Sequence, residues 1–161
     1  MKKITFILLA FIISGSAFAQ NSVKGTAVVK AEIVQPLTIS SESALDFGTI
    51  AAPVAVTDVE LTTGNVRNMP TGMAIPGNIN TTVPTFTVTK EAGLTYKVVT
   101  GSTNLTLTGE PDMVIKDITT NLTDLTGATA DSFKVGATIT VNENQGPGAY
   151  EGQVSVTVSY E

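Results

Sequence analysis

Alternation with a period of two runs through most of this chain, and a sequence with that pattern and no helical period is confined to sheet. The clearest stretch is C-terminal, where Val154, Val156, Val158 and Tyr160 fall on one face and Gln153, Ser155, Thr157 and Ser159 on the other. Phe133, Val135, Ala137, Ile139 and Val141 alternate in the same way with Lys134, Gly136, Thr138 and Thr140. Shorter runs are Phe86 with Val88, Leu94 and Tyr96 with Val98, Leu105 with Leu107, and Met113 with Ile115. Leu45, Phe47 and the stretch 54–61 supply the rest. Valine and threonine dominate, and their β-branched side chains suit a pleated surface and disfavour helix. Beyond the first segment no window repeats apolar residues at helical spacing over three turns, so helix is confined to a turn or so.

Turn-forming residues separate the runs: Gly64-Asn65, Pro70-Thr71-Gly72, Pro76-Gly77-Asn78, Gly101-Ser102, Gly109-Glu110-Pro111-Asp112 and Gln145-Gly146-Pro147-Gly148. Short strands punctuated at this spacing predict an antiparallel sandwich or barrel. Residues 62–82 are the least regular and read as a long loop with room for a short strand.

The first residues have a different purpose. Met1-Lys2-Lys3 is a basic start, residues 4–13 are apolar, and Ala17-x-Ala19 is a signal-peptidase pattern, which predicts a cleaved segment 1–19 and a single mature domain over 20–161. The apolar run is about half of the roughly 20 residues that span a bilayer, and no second run in the mature chain is long enough either. Cleavage also removes Lys2 and Lys3, which deepens the formal charge from −5 to −7. The chain is therefore expected outside the cytoplasm, in the periplasm, at the cell surface or beyond. It holds itself together without the disulfides open to exported proteins, since it has no cysteine.

Composition narrows the chemistry. With neither histidine nor cysteine there is no thiol nucleophile, imidazole base or ordinary zinc site. An acidic chain lacks the cations that displace counterions from nucleic acid. Asp112, Asp117, Asp124 and Asp131 lie near loops without a calcium-loop pattern, and solvated turns explain them. Glu110 and Asp112 flank Pro111 without showing that they share a cleft. Asn80-Thr81-Thr82, Asn104-Leu105-Thr106 and Asn121-Leu122-Thr123 match an acceptor pattern for glycosylation that abundant threonine produces by chance. No catalytic, cofactor or metal-binding residue is assigned, and an enzyme is not expected.

The N-terminal alternation is unusually long. Val23, Gly25, Ala27, Val29, Ala31 and Ile33 occupy odd positions, opposite mostly polar even ones, for roughly twice the usual five or six residues of a strand. Pro36 then breaks the ladder. One reading is a first strand that changes sheets at Pro36. The other is a donor strand, residues 24–34, that inserts into a neighbouring subunit through main-chain hydrogen bonds and alternate side chains, with Ala27, Val29, Ala31 and Ile33 entering pockets.

Gly148-Ala149-Tyr150-Glu151-Gly152, followed by Val154, Val156, Val158 and the penultimate Tyr160, resembles the C-terminal segment of chaperone–usher pilus subunits. Together with Ala31-x-Ile33-Val34-x-Pro36-Leu37 and Leu45-Asp46-Phe47-Gly48, residues 24–161 resemble a family of uncharacterised bacterial exported domains. That family is similar in pattern to spore coat protein U and to cysteine-free fimbrial subunits. The resemblance implies an immunoglobulin-like, Greek-key β-sandwich. It implies a structural or adhesive subunit with sister copies and a periplasmic chaperone as partners, and Gly148, Tyr150, Val154, Val156, Val158 and Tyr160 as the chaperone-binding or acceptor strand. The alternative is a self-contained monomer that binds a glycan or protein through its loops.

Overall fold

A computed structural model of the chain describes residues 22–75 and 80–161. The expected export segment lies outside the described residues. The chain divides between Ile33 and Val34 into two units. In the first, residues 22–33 carry no strand, and every one is exposed.

Among its described residues the second unit has eight strands: β1 (Thr38–Ser41), β2 (Thr57–Leu61), β3 (Arg67–Asn68), β4 (Thr85–Thr89), β5 (Tyr96–Ser102), β6 (Val114–Thr120), β7 (Ser132–Val141) and β8 (Val154–Tyr160). All pairings between them are antiparallel. No helix occurs among the described residues, and none is long and apolar enough to cross a membrane. The alternation expected to begin a strand at Val23 yields one only after Pro36. The irregular stretch after residue 62 contains β3, paired with the end of β2.

The ten-residue β7 organises the larger sheet. One of its edges is shared: Ser132, Phe133 and Lys134 pair with β4, and residues 137–141 pair with β2. β6 pairs along residues 135–140. Where β2 gives way to β4, Gly136 leaves room for a crossing backbone, because a Cβ there would run into the Leu61 carbonyl oxygen and the Thr63 amide nitrogen. The second layer is the β5–β8 pair, in register from Tyr96 opposite Tyr160 to Ser102 opposite Val154.

Two apolar clusters fill the interior. Phe47, Val59, Leu61, Met73, Met113, Ala137, Ile139 and Val141 form the first. Val88, Tyr96, Val98, Ala128, Phe133 and Val135 form the second. Phe86 stacks on Phe133 with ring centroids 5.7 Å apart. Ile118 packs against both clusters. It reaches inward, as Ile115 does, because the β6 register shifts between Lys116 and Thr119 and Asp117 adopts a left-handed φ of 46°. A strand without that extra residue would put positions three apart on opposite faces.

Of the polar groups inside this frame, Arg67 on β3 leaves Nε and Nη2 without a partner among the described residues, whereas Tyr96 is paired. The buried Tyr96 hydroxyl donates to the Ala130 carbonyl at 2.6 Å. Burial, followed by the charge of Asp131, raises its pKa above the ordinary 10.0. On the surface, Lys116 on β6 donates to Asp58 on β2 at 2.8 Å, and the Thr140 hydroxyl between them donates to the other carboxylate oxygen at 2.7 Å. Those bonds, Lys116 first, hold the Asp58 carboxyl below its ordinary 3.8.

Gly136→Ala is expected to lower stability by about 1–3 kcal/mol, the usual cost of forcing extra atoms into a packed site, as read by urea unfolding. A depressed folded pKa contributes stability that is present above 3.8 and lost as pH falls through the folded value. Unfolding midpoints measured from pH 5 down to pH 2 should therefore fall less steeply in Asp58→Asn than in the unaltered protein. The difference should be small, because the pair is solvent-screened.

Candidate functional site

The sandwich is sealed on one side and open on the other. On the sealed side the outer edge of β5 is covered by residues 125–128: Tyr96 and Ala128 exchange backbone bonds of 3.0 and 2.9 Å, and the Val98 amide donates to the Leu125 carbonyl at 2.7 Å. On the open side the main chain of β8 bonds only to β5, and that of β1 only to β4, among the described residues. Each therefore presents one edge of unpaired main-chain donors and acceptors, which invites another strand.

Side chains along these two edges belong to one interior. Leu37 and Ile39 from the β1 side, and Val154, Val156 and Val158 from β8, all pack against the second cluster. The three valines are only half-buried, whereas Ser155, Thr157 and Ser159 between them are exposed. The structure thus brings together the candidate acceptor residues Val154, Val156 and Val158 on one inward face, as their alternation predicts. Tyr160 continues that face, and its hydroxyl donates to the Gln35 carbonyl at 2.9 Å and accepts from the Glu91 amide at 2.7 Å.

Gly148 and Tyr150 lie apart from these valines, at a cavity of about 740 Å³. It opens between residues 45–52, which follow β1, and residues 145–150, which lead into β8, and Phe47, Ile50, Leu105, Met113 and Ile139 give it an apolar floor. Here Gln145, buried, is the hub. Its amide donates to the Pro111 carbonyl at 2.6 Å and to the Tyr150 hydroxyl at 2.9 Å, while its oxygen accepts from Asn142 Nδ2 at 2.7 Å. The Tyr150 hydroxyl donates onward to the Gly146 carbonyl at 2.9 Å. Every polar atom of the Gln145 amide has a partner, so burying it carries no desolvation debt. A Cβ on Gly148 would meet the Leu107 side chain, and one on Gly152 would come within 2.7 Å of the Asn104 carbonyl oxygen. The glycines of the Gly148–Gly152 motif thus let this segment lie flat against residues 104–107.

Across the cavity rim, Arg67 on β3 donates through Nη1 to the Phe47 carbonyl at 2.6 Å and to the Thr49 carbonyl at 3.0 Å. It fixes the path of the chain after β1. Asp124 accepts from both the amide and the hydroxyl of Thr126 at 2.8 Å, and those bonds, the backbone one first, lower its pKa from 3.8. It closes a turn. No group of three His, Cys, Asp or Glu side chains able to hold a metal occurs among the described residues.

The candidate donor residues Ala27, Val29, Ala31 and Ile33 lie in the first unit, in exposed chain without a strand. Val23, Val29 and Ile33 are 86%, 92% and 96% exposed. Sequence reasoning missed Gln35, Glu91 and Gln145. The first two act through main-chain or turn positions that no side-chain pattern flags, and only the turn signal at Gln145-Gly146-Pro147-Gly148 pointed near the third.

Two antiparallel layers with a pair of free edges over a shared core define an all-β sandwich domain. The chain belongs to the family described as "Domain of unknown function (DUF4402)", which it matches over residues 37–160. No curated protein and no solved structure matches the chain. The family match begins at Leu37, so the exposed alternating segment precedes it.

Gln145→Leu keeps the volume but takes the donor from the Pro111 carbonyl and the acceptor from the Asn142 backbone amide, while Asn142 Nδ2 keeps its bond to the Asp112 carbonyl. The substitution should lower stability by about 1–3 kcal/mol in urea unfolding, and a value near zero would show that the hub is dispensable.

Proposed function

We propose that the protein is an exported structural or adhesive subunit of fimbrial kind that assembles by donor-strand exchange. Residues 24–34 of one copy lie along the open side of the next, between the free edges of β1 and β8. Ala27, Val29, Ala31 and Ile33 then cover the second cluster beside Val154, Val156 and Val158. The observation that carries this reading is a complementarity. One segment alternates apolar and polar residues with Val29 and Ile33 more than nine-tenths exposed, and a separate sandwich has a half-covered core flanked by unpaired strand edges.

The energetics agree with that exchange. Moving a valine or isoleucine from water into an interior contributes about 1.5–3 kcal/mol, and a new ladder satisfies main-chain groups on both edges. Eleven extended residues reach roughly 36 Å, longer than the seven residues of β8, so the donor also reaches past Val154 toward the cavity beside Tyr150. Head-to-tail contacts of this kind do not close on themselves and build a fibre. Before assembly, the same edge of β8 suits a periplasmic chaperone strand, as the similarity of the C-terminal segment to pilus subunits implies. The alternative, a self-contained monomer that binds a glycan or protein through its loops, draws on the cavity beside residues 145–150.

Mature protein run unboiled on a denaturing gel should give a ladder of multimers that Ala27→Asp and Ile33→Asp each abolish. A charge buried without a partner costs several kcal/mol, enough to empty the groove. A single monomer band from the unaltered sequence rejects strand exchange and favours the loop-binding monomer.

A further inference from the structure

We infer that a clamp on Gln35 bars the leading segment from its own groove, so that the groove accepts only a second copy; this rests on the exchange reading above. Gln35 is held at both main-chain groups. Its amide donates to the Glu91 carboxylate at 2.9 Å, and its carbonyl accepts from the Tyr160 hydroxyl at 2.9 Å. The Tyr160 hydroxyl in turn accepts from the Glu91 amide at 2.7 Å, which closes a ring of three bonds among the chain before β1, the β4–β5 turn and the last strand. The residue where the leading segment joins the sandwich is therefore pinned to the end of the strand that borders the groove.

Self-insertion requires the opposite. For residues 24–34 to pair with the free edge of their own β1, the chain must reverse tightly across residues 34–37, and residue 35 must leave Glu91 and Tyr160. Hairpin turns of two residues need a positive φ at the first central position or at both, which glycine, asparagine and aspartate supply. The sequence there is Val34-Gln35-Pro36-Leu37: Pro36 cannot take the positive φ of the two-position type, and the one-position type would place it on Gln35, which is not a glycine. Among the described residues no positive φ occurs before Gly48. Turn chemistry and the hydrogen-bond ring thus oppose the same motion. The consequence is specificity: the hydroxyl of Tyr160 and the carboxylate of Glu91 are positioning groups that set the choice between self and neighbour.

The test measures molar mass by light scattering and amide exchange of residues 24–34, at low concentration where the two routes compete. Tyr160→Phe keeps the ring packing and removes two of the three bonds, and should shift the ratio of self-inserted monomer to multimer roughly 5- to 30-fold toward monomer. The pair Gln35→Asn with Pro36→Gly supplies a competent turn and should shift it further. Glu91→Gln keeps an acceptor for the Gln35 amide and should behave as the unaltered protein, whereas Glu91→Ala should follow Tyr160→Phe. Monomers produced this way must show residues 24–34 protected from exchange. Multimer distributions unchanged in Tyr160→Phe and in the turn variant overturn the clamp and leave strand exchange standing. An unaltered protein that is monomeric with residues 24–34 protected overturns the clamp as well. An unaltered monomer with those residues unprotected rejects exchange between copies and the clamp with it.

Discussion

The whole sandwich depends on the β7 ladder. Among the described residues it is the one strand bonded to three others, and its middle residues are buried on both faces. Its shared edge decides the architecture: β4 takes one end and β2 the other, and the handover is possible because Gly136 carries no side chain against the Leu61 and Thr63 backbone. Everything else hangs from that arrangement. β1 extends the sheet through β4, β6 carries it toward β5, and the two layers meet on the β5 side and part on the β8 side. A domain without disulfides rests on this one strand and on the two clusters set along one of its faces.

Much of this was legible in the sequence, for a physical reason. Alternation is a direct image of the pleat, so Phe133–Val141 and Val154–Tyr160 could be placed, faces included, without coordinates. The turn residues between runs were equally legible. Two features were not. The parity break in β6 leaves Ile115 and Ile118 on the same side because of a single left-handed residue, and Asp117 looks like any other aspartate in a list of candidate turns. The segment from Val23 to Val34 carries a strand pattern yet is exposed chain here, since alternation reports that a segment suits a strand and not that it forms one.

The candidate site divides along the same line. Val154, Val156 and Val158 were readable because they obey a period, and the structure puts them on the face expected of them. Gly148 and Tyr150 came from a resemblance, and their surroundings give them a local explanation: a glycine-bearing segment lying flat on residues 104–107 and a hydroxyl tied into the Gln145 network. Gln35 and Glu91 were invisible, because what matters about Gln35 is its amide and carbonyl, which every residue has. Main-chain recognition leaves no signature in side-chain spelling.

One residue joins the interior into a single body. Ile118 alone is packed against both clusters from β6, and it faces inward only because the strand takes one extra step at Asp117. Removing that step would turn Ile118 outward and leave the two clusters adjoining only along the β7 face that carries Phe133, Val135, Ala137, Ile139 and Val141. The irregularity in β6 thus ties the two ends of the interior together through a single side chain.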